Sequence, residues 1–209
     1  MVKAGMKEAL TKFVENGGTL VTTFMSGIVN ESDNVHLGGY PGPLRELAGV
    51  WVEEIDALAP EQTNTITFSD GTKITCNMLC DLMHLETAKC LAKYEENFYA
   101  GMPAITKNVY GKGTTYYIGT NMSDAGIAKV LDMAVGSAGV TPVIAEQTEL
   151  EITCRRAENA IYYFVFNFKD EALPLPVCFE GMTDLLTGEV ISSGKVLNQY
   201  DTFIVCISR

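Results

Sequence analysis

Met6-Lys-Glu-Ala-Leu-Thr-Lys-Phe-Val-Glu-Asn-Gly-Gly-Thr-Leu-Val-Thr-Thr-Phe24 reads as a helix, a stop and a strand in immediate succession. Met6, Ala9, Leu10, Phe13 and Val14 recur at helical spacing among Lys7, Glu8, Lys12 and Glu15, which predicts an amphipathic helix over residues 3–16 with one buried stripe. Asn16-Gly17-Gly18 ends it. Thr19 to Phe24 is then a short β-branched run of the kind buried in a parallel sheet. Helix, Gly-Gly, strand is half of a βαβ unit whose leading strand is absent, so the stretch predicts an α/β domain of the doubly wound class with its first strand missing.

The next segment changes character. In Glu31-Ser-Asp-Asn-Val-His-Leu-Gly-Gly-Tyr-Pro-Gly-Pro-Leu-Arg-Glu-Leu-Ala-Gly49, the density of Gly and Pro between Gly38 and Pro43 suits neither a helix nor a ladder and predicts a loop. Gly42 as N-cap and Pro43 at the first helical position open a turn or two that Gly49 closes, and Val50, Val52 and Ile55 follow as a strand. Thr65–Phe68 and Thr72–Thr75 alternate across Ser69-Asp70-Gly71 as a hairpin. Cys80–Glu86 and Ala88–Tyr94 read as two further strands, and Pro103–Val109 pairs with Gly113–Gly119 across Tyr110-Gly111-Lys112. Ser123 or Asp124 caps a helix with Ile127, Val130, Leu131, Ala134 and Val135 on one side, stopped by Gly136 or Gly139.

Thr141–Glu149 reads as a linker. Beyond it, the short runs Glu151–Arg155, Ile161–Phe168, Leu175–Phe179, Asp184–Leu186 and Thr202–Ile207 predict a small all-β, sandwich-like domain. Tyr162, Phe164 and Phe166 share one of its faces. The division is an α/β domain over residues 1–145 and a β domain over residues 146–209.

With 209 residues the chain accommodates one large or two ordinary cores. A net charge of −11 argues against nucleic acid and against an anionic membrane surface as partners. Met1–Met6 lacks the apolar core of a signal peptide, and no run approaches the roughly 20 apolar residues that span a bilayer. The six cysteines form no Cys-x-x-Cys pair and suit a reducing compartment, so a cytoplasmic location is expected.

Glu53-Glu54, Glu95-Glu96 and Asp170-Glu171 are adjacent carboxylates, but neighbours on a strand face opposite ways and do not converge on a substrate. Cys76, Cys80 and His84 are spaced four apart, with Cys90 beyond; on a helix these would align as zinc ligands, on strands they would be buried thiols. Met25-Ser26-Gly27 lacks the Gly-x-Ser-x-Gly elbow, and Gly111-Lys112-Gly113 is too short for a dinucleotide fingerprint. No catalytic, cofactor-binding or metal residue is assigned, and no cofactor is expected.

Val35-His36-Leu37-Gly38-Gly39-Tyr40-Pro41-Gly42-Pro43-Leu44-Arg45, with Gly49 and Val52-Glu53-Glu54, resembles the trimerisation domain of family 42 β-galactosidases. Phe13–Val21, Phe98–Ala104, Tyr110–Gly113 with Tyr117, and Asp184-Leu-Leu-Thr-Gly188 extend that resemblance over nearly the whole chain. It implies a glutamine-amidotransferase-like, flavodoxin-like first domain and a carboxy-terminal β domain. The parent enzyme it implies also has an amino-terminal (β/α)₈ barrel, a fold of about 250 residues, which carries two glutamates that hydrolyse terminal β-galactosides with retention. The resemblance implies that this chain corresponds to the parent without that barrel, would serve homotrimer assembly and support, and would meet galactoside only through the missing part. His36, Leu37, Tyr40, Pro41 and Pro43 are the candidate subunit-contact residues, the alternative for His36 being a hydrogen bond to its own loop. A stand-alone carbohydrate-binding or oligomerisation module is the other reading, and it would need an exposed aromatic platform, for which Trp51 is the one tryptophan.

Overall fold

The computed structural model of the chain describes residues 1–208. They form two units, Met1–Val140 and a second that begins at Thr141.

In the first unit, helix α1 (Met6–Glu15) runs into strand β1 (Thr19–Thr23), as the spacing predicts. A 3-10 turn at Gly42–Leu44 with Pro43 in its first positions leads to a one-turn helix α2 (Arg45–Ala48), which Gly49 ends at φ 67°. Seven more strands follow: β2 (Val50–Ala57), β3 (Asn64–Phe68), β4 (Lys73–Leu85), β5 (Lys89–Tyr94), β6 (Pro103–Tyr110), β7 (Gly113–Ile118) and β8 (Thr120–Met122). Helix α3 (Asp124–Ala138) ends on Gly139 in the left-handed conformation. The strands make one sheet in the order β1-β7-β6-β5-β3-β4-β2, with β8 paired to β4.

That order overturns the doubly wound, flavodoxin-like expectation. Only β1 and β7 are parallel, whereas every other pairing is antiparallel. A doubly wound sheet needs a helical crossover between successive strands, and here the chain from Val50 to Met122 returns through turns instead. Ser69-Asp70-Gly71 and Gly111-Lys112 close local hairpins, so strands that alternate in sequence pair with their neighbours. The unit is therefore a mixed, mainly antiparallel sheet with few helices.

Alternation along β1 sets the layers. Leu20 packs with Val14, Leu44 and Leu47 on the α1 and α2 side, while Val21 packs with Tyr116, Ile118, Val130 and Ala134 on the α3 side. The buried row of α3 is Gly126, Val130 and Ala134, and Leu131 and Val135 stay half-exposed, so its stripe is narrower than predicted. The small residues explain the shift: a Cβ at Gly126 would stand 2.7 Å from Ile74 Cγ2, and the helix sits as close to the sheet as glycine permits. Burying Val130 completely contributes roughly 1.5–3 kcal/mol.

The second unit is all-β but is smaller in its sheets than the predicted sandwich. β9 (Glu151–Arg156), β10 (Ala160–Phe166) and β13 (Thr202–Ser208) make a three-stranded antiparallel sheet, and β11 (Leu173–Pro174) and β12 (Val196–Leu197) make a two-stranded ribbon. Leu175–Phe179 is not a strand, because the ladder of β11 stops at Pro176, which has no N–H to donate, and a 3-10 turn forms at Val177–Phe179. Asp184–Leu186 is a side-chain-held turn. Asp184 Oδ1 accepts the N–H groups of Leu186 (3.1 Å) and Ile204 (3.2 Å), and Oδ2 accepts the Thr187 hydroxyl (2.8 Å). Phe179, Val165, Phe203 and Val205 form the core beneath it.

Two outcomes test this packing. A Cβ at Gly113 would drive into the carbonyl oxygens of Val14 and Gly18, so Gly113→Ala should lower the unfolding free energy by about 2–3 kcal/mol in urea titration. Burial pushes the Asp184 carboxyl up and its hydrogen bonds pull it further down, leaving its pKa below the ordinary value. A lowered carboxylate stabilises the fold above the unfolded value of about 3.9 and loses that contribution as pH falls through the folded value. Asp184→Ala should therefore cost about 1.5–3 kcal/mol at pH 7, with the difference shrinking below about pH 4.

Candidate assembly interface

The Val35–Pro43 loop is built on an outer bend closed by Asn30, whose Oδ1 accepts the N–H groups of Ser32 (2.9 Å) and Asn34 (3.0 Å). The His36 N–H donates to Ile28 O at 2.9 Å. The chain then crosses to the edge of the sheet, where Tyr40 and Val52 exchange backbone hydrogen bonds of 3.3 and 2.7 Å. Gly39, at φ 84°, lies directly against Trp51, and any side chain there would collide with the indole nitrogen. The Tyr40–Pro41 peptide is cis.

Beneath the loop sits a carboxylate. Asp81 on β4 has 0% solvent exposure and receives the hydroxyls of Tyr40 on Oδ1 and Tyr117 on Oδ2, both at 2.8 Å. Burial raises the Asp81 carboxyl to about 7 against the opposing pull of those two phenols. Burial and the facing carboxylate push both tyrosines upward. Beside the loop, His84 stacks on Trp51 at 4.8 Å between centroids, and its Nε2 lies 2.8 Å from Glu53. Arg45 reaches over the same indole at 5.5 Å, with Nε 3.0 Å from both Glu86 oxygens.

The five residues picked from sequence therefore occupy different positions. Leu37 projects from the loop at 97% exposure, with Val35 also exposed. Tyr40 and His36 are half-buried, and His36 Nε2 has no partner. Pro41 is buried and Pro43 is half-buried in the 3-10 turn. Tyr40 and Pro41 thus seat the loop, and Leu37 is the side chain it presents. Asp81 was not singled out from sequence, although a carboxylate inside the apolar run Cys80-Asp81-Leu82-Met83 was an available signal; Arg45 and Tyr117 entered only among the residues that carry the family resemblance, with no role given to either.

Residues 1–141 match the family model described as the β-galactosidase trimerisation domain, and residues 149–205 match the one described as the β-galactosidase C-terminal domain. The chain belongs to the family 42 β-galactosidases. A β-galactosidase of Lactobacillus acidophilus is 46% identical over 190 residues, which is 90% of this chain and 28% of that protein. One from a Planococcus species is 40% identical over 210 residues, covering 98% of this chain and 31% of the relative. Among solved structures, the β-galactosidase from Bacillus circulans sp. alkalophilus superposes at TM-score 0.88 with 37% identity, over 99% of this chain and 31% of that one. This family 42 chain spans about 30% of the length of the relatives it matches.

The other candidates of this β-galactosidase-family chain are dispersed. Glu53 pairs with His84, Glu95 with Lys73, and Asp170 with Gln199, all at the surface. Cys76 and Cys80 are buried on β4 and Cys90 is half-buried, whereas His84 faces solvent beside Trp51. Among the described residues no group of three or more His, Cys, Asp or Glu side chains converges on a metal position.

The loop's anchor and its tip should separate experimentally. Tyr40→Phe removes one donor from a buried carboxylate and should cost about 1–3 kcal/mol in urea unfolding. Leu37→Ser should stay within about 0.5 kcal/mol of the parent, since nothing packs on that side chain within the chain.

Proposed function

We propose that this chain is the self-association and support portion of a family 42 β-galactosidase, holding copies together as a trimer while the chemistry resides in a barrel that it does not contain. The observation that carries the reading is the Val35–Pro43 loop, which tethers Tyr40 to Asp81 and presents an almost fully exposed Leu37. A rigidly seated loop with an outward apolar side chain loses little entropy on contact, which is the character of an interface anchor. His36, Leu37, Tyr40, Pro41 and Pro43 make up that subunit contact, Leu37 and His36 by touch and the others by holding the loop. The match to a trimerisation-domain model and six unpaired cysteines support self-association and a reducing, cytoplasmic setting.

The parent reaction would be hydrolysis of terminal β-D-galactosides with retention, by two carboxylates about 5–5.5 Å apart on the barrel. The free-standing sugar-binding alternative gains nothing from Trp51, whose ring is already in contact with His84 and Arg45.

Sedimentation velocity over a concentration series tests the assembly reading. The wild-type chain should reach a trimer and Leu37→Asp should shift it toward monomer by at least tenfold in concentration; identical profiles would remove the loop from the interface. The same preparation should show no turnover of a chromogenic β-galactoside, and steady turnover would sink the division of labour.

A further inference from the structure

Asp81 has no cation for a partner. The titratable groups facing it are Tyr40 from the loop, Tyr117 from β7, Tyr94 from β5 and the Cys80 thiol on its own strand. Among the described residues no Lys, Arg or His pairs with it. A carboxylate enclosed in this way is poorly compensated, because two phenol hydrogen bonds replace only part of its hydration. Either form can keep both phenol contacts, the neutral acid by donating its own proton to one phenol oxygen. Only the ionised form strands a charge. Of the elements around it, β4, β5 and β7 are locked in the sheet ladders, whereas the loop joins the sheet through the single Tyr40–Val52 bridge.

We propose that the Asp81–Tyr40 contact is a proton-dependent latch: the Val35–Pro43 loop seats over the neutral carboxyl and is released, admitting water, when that carboxyl ionises. With the loop seated, the Asp81 pKa is about 7, and a solvated aspartate titrates near 3.9. The seated state therefore holds a proton that the open state gives up. Seating is firmest at the acid end of that window, weakens roughly tenfold per pH unit on the way up, and levels off above about pH 7. The link from latch to assembly rests on the function proposed above; the latch itself does not.

Trp51 is the one tryptophan and lies against Gly39 of the loop, so it reports directly on seating. The experiment follows Trp51 emission of the full chain from pH 5.5, above the pI of about 4.6, to pH 8.5, in wild type and Asp81→Asn. Wild type should shift to the red with rising pH and flatten near 7, and Asp81→Asn should lack that step. His84 is stacked on the indole in both proteins, so the latch is read from the difference between them, and a step of equal size in Asp81→Asn belongs to another group and overturns the latch. Should Asp81→Asn fail to fold, amide exchange of residues 35–40 in wild type, corrected for intrinsic rates, decides the matter: greater protection at pH 5.5 than at pH 8 supports the latch, and equal protection overturns it. Parallel sedimentation should show trimer formation weakened more than tenfold between pH 5.5 and 8 in wild type only. A chain that is monomeric at every pH refutes the assembly reading while the fluorescence still decides the latch.

Discussion

Two phenol hydroxyls meeting one enclosed carboxylate tie the front of this molecule to its middle. Asp81 lies on the long strand β4, which pairs with β2, β3 and β8 and so holds much of the sheet together. Tyr117 reaches it from β7, which lies between β1 and β6 in the sheet, and Tyr40 reaches it from the loop outside β2. One side chain thus couples the loop, the long strand and the strand carrying the parallel pairing. The cost is the burial of an acid without a counter-ion, which the surrounding ladders make rigid enough to sustain.

Local chemistry was legible in the sequence wherever a turn or cap fixed it. Asn16-Gly17-Gly18, Ser69-Asp70-Gly71, Gly111-Lys112 and Gly139 each stop or turn the chain where the structure does, because left-handed or tight conformations admit few residue types. The partner of β1 was not legible. Helix, Gly-Gly, strand specifies only what happens between Met6 and Thr23, and the doubly wound class required further crossovers that the Val50–Met122 region does not make. The strands there carry their own hairpin turns, and local antiparallel pairing closes at a lower entropic cost than a distant crossover. In the second unit the apolar runs around Leu175 and Leu185 looked like strands, but prolines in one and the Asp184 turn in the other consumed them.

The loop could be read as a contact element from its Gly and Pro content, since no ladder or helix would tolerate it. Its fastening could not. Tyr40 and Asp81 stand 41 positions apart, and nothing in spacing or composition links a tyrosine in a loop to an aspartate in an apolar strand. The same limit explains why Tyr40 looked like a surface group: an aromatic beside two prolines suggests exposure, whereas its hydroxyl turns inward. Trp51 is the mirror case, a candidate sugar platform whose ring is covered by His84 and Arg45.

Strand β1 ends its sheet, and the helices on either side of it leave Phe13, Leu131 and Val135 half in water. A terminal strand with greasy shoulders is an adhesive margin, able to stick to any extended chain it meets. On warming, a molecule that has merely loosened there would clump before it could unfold reversibly. Its endurance in solution is then a matter of collision frequency, and an apparent melting temperature would drift with protein concentration and heating rate instead of marking an equilibrium.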